Sequence, residues 1–167
     1  MHRILALAAL LVAGQPALAE YGSTRWGMTP DEVRAAVGGD ARAVRDKKDQ
    51  RVFNHQRLVA STTAEAGIVY DVSYYFGPDG KGLTMVELVP PTPAKDCAVM
   101  RAAYMQRFGP GEEQRRDLGM PGLDLNVIQW RTGPGDEIVR YVETFVLGTA
   151  SSCKVLYQQR AFTMERS

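Results

Sequence analysis

The sequence predicts an α+β fold in two layers, with helices packed on one face of an antiparallel sheet. Three observations lead there. Two helix starts are marked by a cap residue followed by proline, at Thr29-Pro30 and at Thr92-Pro93. Between and after them run segments of strict alternation such as Ile68-x-Tyr70-x-Val72-x-Tyr74-x-Phe76, the period of a strand with one buried face. Short glycine- and proline-rich links, 77–82 and 133–136, join such segments as hairpins. A helix with a single apolar stripe buries it best against a sheet face, and hairpin-linked strands are antiparallel.

Met1-His2-Arg3, the apolar run 4–12 and the small-x-small triplet Ala17-Leu18-Ala19 read as a secretory signal peptide, residues 1–19. The apolar run is far shorter than the roughly 20 residues a membrane-spanning helix needs, so no membrane anchor is expected. Residues 20–167 are then expected to form one α+β domain. The chain carries 20 basic and 19 acidic residues, and loss of Arg3 with the signal leaves 19 of each. A chain so balanced has no bulk electrostatic attraction to nucleic acid, and none is expected as a partner.

In the first helix Thr29 caps, Pro30 takes the first position and Glu32 completes a capping box. Met28 and Val33 are placed to staple the helix start, Val33, Ala36 and Val37 form its apolar face, and Gly38-Gly39 ends it. The strands expected next are 41–47, 50–62, 67–76 and 83–89. The second helix shows Cys97, Met100, Tyr104 and Phe108 at steps of three and four, and Gly109-Pro110 closes it. The strands 113–118, 123–132, 137–147 and 153–160 follow. Residues 24–91 and 92–163 thus share one order of features and read as pseudo-repeats. In an exported chain Cys97 and Cys153 are expected to form a disulfide that joins the second helix to the last strand.

No catalytic constellation stands out. His55 is the one histidine beyond the signal, and it falls in an expected strand with no G-x-S-x-G anywhere. One histidine and two paired cysteines do not make a zinc site, and 77–82 lacks the spacing of a phosphate-binding loop. No cofactor, metal or catalytic residue is therefore assigned. The adjacent acids Asp31/Glu32, Glu112/Glu113 and Asp136/Glu137 are the carboxylates a hydrolase would use, but each lies where acids cap helices or solvate turns. The mixed run 45–51 reads as a solvated turn. Tyr70, Tyr74, Tyr75, Phe76 and Trp130 read mainly as core, with at least one expected exposed beside a loop. Trp26, Tyr75 and Trp130 are the candidate binding face, because capping does not explain Trp26 and aromatic residues anchor protein interfaces.

WGMTPDEV at 26–33, YYFGPDGKGL at 74–83, YMQRFGP at 104–110 and Trp130 in a late strand occur in an order that resembles a superfamily of small exported proteins. That superfamily contains the β-lactamase inhibitory protein and the small lipoprotein of the outer-membrane β-barrel assembly machinery. The resemblance implies helices on an antiparallel sheet, once or twice per chain, and roles in protein binding and assembly. No cysteine follows the expected cleavage site to carry a lipid, and no site residue transfers from the family. The expected function is a non-catalytic periplasmic or secreted protein that binds another envelope protein or a small ligand. The alternative is a carboxylate-dependent envelope hydrolase.

Overall fold

The computed structural model describes residues 21–132 and 137–159. The expected signal peptide and the 133–136 link lie outside them. In chain order the elements are α1 (Pro30–Val37), β1 (Arg42–Ala43), β2 (Gln56–Glu65), β3 (Ile68–Phe76) and β4 (Leu83–Val89). Then come α2 (Pro93–Phe108), β5 (Glu112–Asp117), β6 (Leu123–Thr132), β7 (Glu137–Val146) and β8 (Thr149–Gln159). All eight strands form one antiparallel sheet in the order β1-β2-β3-β4-β8-β7-β6-β5. Each run of four strands follows one helix, and the last strands of the two runs, β4 and β8, meet at the centre.

The expectation of an α+β fold with a layer of helices on the sheet is corrected. Of the described residues 51% are strand and 18% helix, and the sheet dominates them. The physical reason is area. Eight strands about 4.8 Å apart make a sheet about 34 Å wide. Helices of 8 and 16 residues are only about 12 and 24 Å long at 1.5 Å per residue, and they roof part of such a sheet rather than forming a layer.

Local chemistry explains the elements that do form. The Thr29 hydroxyl accepts from the Glu32 backbone N–H, and the Glu32 carboxylate accepts from the Thr29 N–H, closing the capping box. Those bonds hold the Glu32 carboxyl below the usual range. Thr92 occupies the corresponding place in α2 without a side-chain bond, so Pro93 alone supplies the start signal there. The turn joining β2 to β3 has positive φ at Ala66 (52°) and Gly67 (78°), and that joining β7 to β8 at Leu147 (50°) and Gly148 (80°). Positive φ at two successive residues gives these turns the twist of a hairpin.

One hydrophobic core runs through the molecule. Val33 of α1 and Cys97, Met100 and Tyr104 of α2 enter it beside Tyr74, Val86, Val155, Tyr141 and Trp130 of the sheet. Cys97 and Cys153 stand at disulfide distance, with Cα atoms 5.6 Å apart and 56 residues between them in sequence. Beside them the Tyr141 hydroxyl donates to the Cys97 carbonyl at 3.1 Å. The Tyr157 and Tyr104 hydroxyls lie 3.2 Å apart, tying β8 to α2 a second time.

Candidate functional site

Strand register assigns every side chain to one of two sheet faces, since successive residues alternate. Tyr74, Val86, Tyr157, Val139 and Trp130 share the core face. Tyr75, Met85, Gln158 and Ile138 align across the four central strands on the opposite face, where Glu87, Lys154, Leu156, Arg140 and Val142 join them. The helices bury Val33 of α1 and Cys97, Met100 and Tyr104 of α2 in the core face. Tyr75, Met85 and Ile138 are nevertheless buried on the opposite face, outside that core. The long stems of Arg57, Lys154, Arg140 and Gln158 share this face, and aliphatic stems of that kind cover apolar surface while their polar ends reach water.

A polar network organises the centre of the uncovered face. The Tyr75 hydroxyl donates to Glu87 Oε1 at 3.0 Å and Lys154 Nζ donates to Oε2 at 2.8 Å, so both carboxylate oxygens are engaged. Burial, then the Glu87 charge, pushes the Tyr75 hydroxyl far up, and it stays a donor. Toward β2, Arg57 Nε donates to the Ser73 hydroxyl at 2.8 Å and Nη1 to Gln50 at 3.3 Å. Toward β6, Arg140 Nε donates to Gln129 Oε1 at 2.8 Å and Nη1 to Gln158 Oε1 at 3.4 Å. Burial and the neighbouring Arg116 charge push the Arg140 guanidinium down from its ordinary value.

The three aromatic residues expected to form a binding face are not brought together. Tyr75 lies on the uncovered face, whereas Trp130 lies on the core face with its indole N–H donating to the Gly109 carbonyl at 2.8 Å. Trp26 is half-buried and donates to Glu137 Oε1 at 2.8 Å, 111 residues away in sequence. The expectation of an exposed aromatic beside a loop is overturned too, because Tyr70, Tyr74, Tyr75, Phe76 and Trp130 are all at most 4% exposed. Four of these rings lie on β3 and the fifth on β6, and all five are buried on one sheet face or the other.

Four of the acids singled out in sequence have structural partners, and Glu112 stands exposed on β5. Asp31 holds Arg34 at 2.6 Å, Glu32 caps α1, Glu113 accepts from Arg101 at 2.8 Å and from Asn126 at 2.7 Å, and Glu137 accepts from Trp26. Asp136 lies outside the described residues. His55 is buried, with Nδ1 2.8 Å from the Thr84 hydroxyl, and burial pushes its imidazole below the usual range. Among the described residues, two cavities flank the core face. One of about 390 Å³ between α1 and β2 is lined by Tyr21, Ser61, Thr63, Glu65 and Arg107, and the Arg107–Glu65 pair at 3.0 Å sits in its wall. Another of about 440 Å³ lies among Arg101, Glu113, Arg115, Asn126 and Phe145.

The Glu87 and Arg140 networks were missed in sequence because their members lie on separate strands. The signal that finds them is register, once the pairing β3-β4-β8-β7 is known. No family model, curated protein or solved structure matches the chain.

Proposed function

We propose that this chain is a non-catalytic, exported binding protein whose partner is another envelope protein, docked on the sheet face that neither helix covers. The observation that carries the reading is the burial of Tyr75, Met85 and Ile138 on that face, outside the core formed with the helices. Tyrosine, methionine and arginine beside half-buried aliphatic residues are the composition of interface centres, whose charged groups are few and mostly paired. The Tyr75–Glu87–Lys154 network holds three side chains in place before any partner arrives. Such pre-ordering lowers the entropy cost of association.

The test is photo-crosslinking in envelope extract of the source cells. A photoreactive residue at Val142, on the uncovered face, is expected to yield a discrete protein adduct. The same residue at Met105, on the exposed side of α2, is expected to yield none. No adduct at Val142, or the same adducts at both positions, refutes the reading.

A further inference from the structure

β5 closes the sheet at the end opposite β1, and among the described residues no strand pairs its outer side. All of its residues, Glu112 to Asp117, are exposed. Such an edge presents free backbone N–H and C=O groups to any strand that approaches it. Glu113 stands opposite Ile128 of the core, so Glu113, Arg115 and Asp117 project from the core face and Glu112, Gln114 and Arg116 from the uncovered one. From Gln114 outward the charges are opposite in sign on the two sides, with Glu113 and Glu112 before it and Arg115 and Arg116 after it. Antiparallel pairing fixes which alignments with an identical strand are allowed. Facing residues must both turn their backbone groups into the seam or both away from it, and this alternates along a strand. A two-fold axis between two copies of β5 therefore passes through a residue. Gln114 is the one uncharged residue of the strand, so an axis at any other position sets a like charge against itself. With the axis at Gln114, Glu112 faces Arg116 and Glu113 faces Arg115, each pairing occurring twice. Asp117 then falls opposite Gly111, which offers no side chain.

We propose that β5 pairs with β5 of a second copy of this chain, antiparallel about a two-fold axis at Gln114, and joins two sheets edge to edge. Opposite charges facing each other across strands support a pair and like charges destabilise it, so charge selects this register. Edge strands guarded against association carry charges that repel an incoming copy. The charges of β5 repel in the neighbouring registers and attract in one. The bonds made within the chain leave room for the new ones. Arg101 and Asn126 both donate to Glu113 at Oε1, and among the described residues Glu113 Oε2 accepts no hydrogen bond and Glu112 has no ion pair. Pairing uses the same edge in both copies, so it closes as a dimer. The other edge, β1, spans only Arg42–Ala43 and is too short a template to extend the dimer into a filament. The axis stands perpendicular to the sheet, so the uncovered faces of the two copies lie side by side, and the dimer forms whether or not an envelope protein docks there.

The experiment is sedimentation velocity of the purified chain at low salt and at concentrations up to about 0.5 mM, since an interface this small associates weakly. The wild type is expected to reach a dimer and no larger species, and added salt to weaken it. E112R and R116E, both at exposed positions, each set two like-charge pairs across the axis and are expected to weaken self-association at least about tenfold. Exchanging the charges in E112R/R116E restores opposite signs and is expected to restore the dimer. Mixing the E112R and R116E proteins is expected to give a heterodimer that neither forms alone, because one then carries two basic positions and the other two acidic ones. Register is read by oxidative crosslinking. Facing Cα atoms of an antiparallel pair lie about 4.5–5.5 Å apart, within disulfide reach, so Q114C is expected to link two chains. The two copies of position 117 would stand about 20 Å apart along the strands, so D117C is expected not to link them. A wild type that stays monomeric throughout, single variants that associate as well as the wild type, failure of the exchanged or mixed proteins to associate, or equal linking of Q114C and D117C overturns the proposal.

Discussion

Removing the Cys97–Cys153 link by C97A/C153A tests how the second helix is held. The cysteines stand 56 residues apart in sequence. On the chain-entropy relation, closing a loop of that length restrains the unfolded chain by about 14 cal/mol/K, or about 4 kcal/mol at 25 °C. Against a typical domain stability of about 5–15 kcal/mol, that is a large share. For a domain of this size each kcal/mol shifts Tm by about 2–4 °C, so the variant is expected to melt about 8–16 °C below the oxidised protein. Both cysteines are at most 3% exposed, so alanine also leaves a small void, and reduced wild type is the better comparison for the loop effect alone. The assay is urea unfolding of the oxidised, reduced and C97A/C153A proteins. Alkylation without reductant is expected to label neither cysteine. Two labelled cysteines, or a loss below about 1 kcal/mol on reduction, refute the reasoning.

Three further outcomes are expected. W26F strands the buried Glu137 carboxylate, whose Oε2 already lacks a hydrogen-bond partner, and should cost about 1–3 kcal/mol in urea unfolding, while W26F/E137L should lose less than W26F alone. G111A places a methyl group 2.7 Å from Ile128 Cγ2 and 2.8 Å from both the Gln129 carbonyl and Trp130 Nε1. A loss of about 1–3 kcal/mol follows, and unchanged stability would mean that the β5 start shifts freely. The fold favours neutral His55, so the unfolded chain takes up the proton first as pH falls through about 6.5. This stability contribution is full above that pH and declines below it. H55Q should flatten the decline, and an identical pH slope in wild type and variant would remove the argument.

Helix starts were legible because their chemistry is local. Thr29, Pro30 and Glu32 meet within one turn, and α1 and α2 begin at the two prolines. The edges of strands were less legible. β2 begins at Gln56 rather than residue 50 because Val52-Phe53-Asn54-His55 closes a tight turn, with φ of 49° at Phe53 and 65° at Asn54. Bulky residues rarely take positive φ, so neither Phe53 nor Leu147 announces a turn in sequence. The balance of helix and sheet was misjudged because caps and apolar stripes locate helices without measuring how wide the sheet becomes. The aromatic face was misjudged for a different reason. From Val72 to Phe76 every residue is buried, so alternation no longer separates an inner face from an outer one. The bonds of Arg140 to Gln129 and Gln158 depend on register between β6, β7 and β8, which local sequence does not encode.

The seam between the two runs of strands gives the uncovered face its mechanical meaning. Among the described residues β4 and β8 pair over Met85↔Gln158, Val86↔Tyr157, Glu87↔Leu156 and Leu88↔Val155, four pairs against the ten of β6 and β7. Side chains therefore carry much of the junction. On the core face Trp26 reaches Glu137 from the N-terminal half, and the Tyr21 ring packs 5.1 Å from that of Tyr157. On the opposite face Lys154 reaches across the seam to Glu87, which Tyr75 holds in turn. A partner seated over Tyr75, Glu87 and Arg140 would touch both runs at once. Its binding energy would add to the seam, because a ligand that binds only the joined sheet stabilises it by mass action. A docked partner would then raise Tm. Hydrogen exchange would slow first at β4 and β8, where few backbone pairs hold the halves together. Protection that grew instead at β1 and β2, with the seam unchanged, would separate partner binding from the junction.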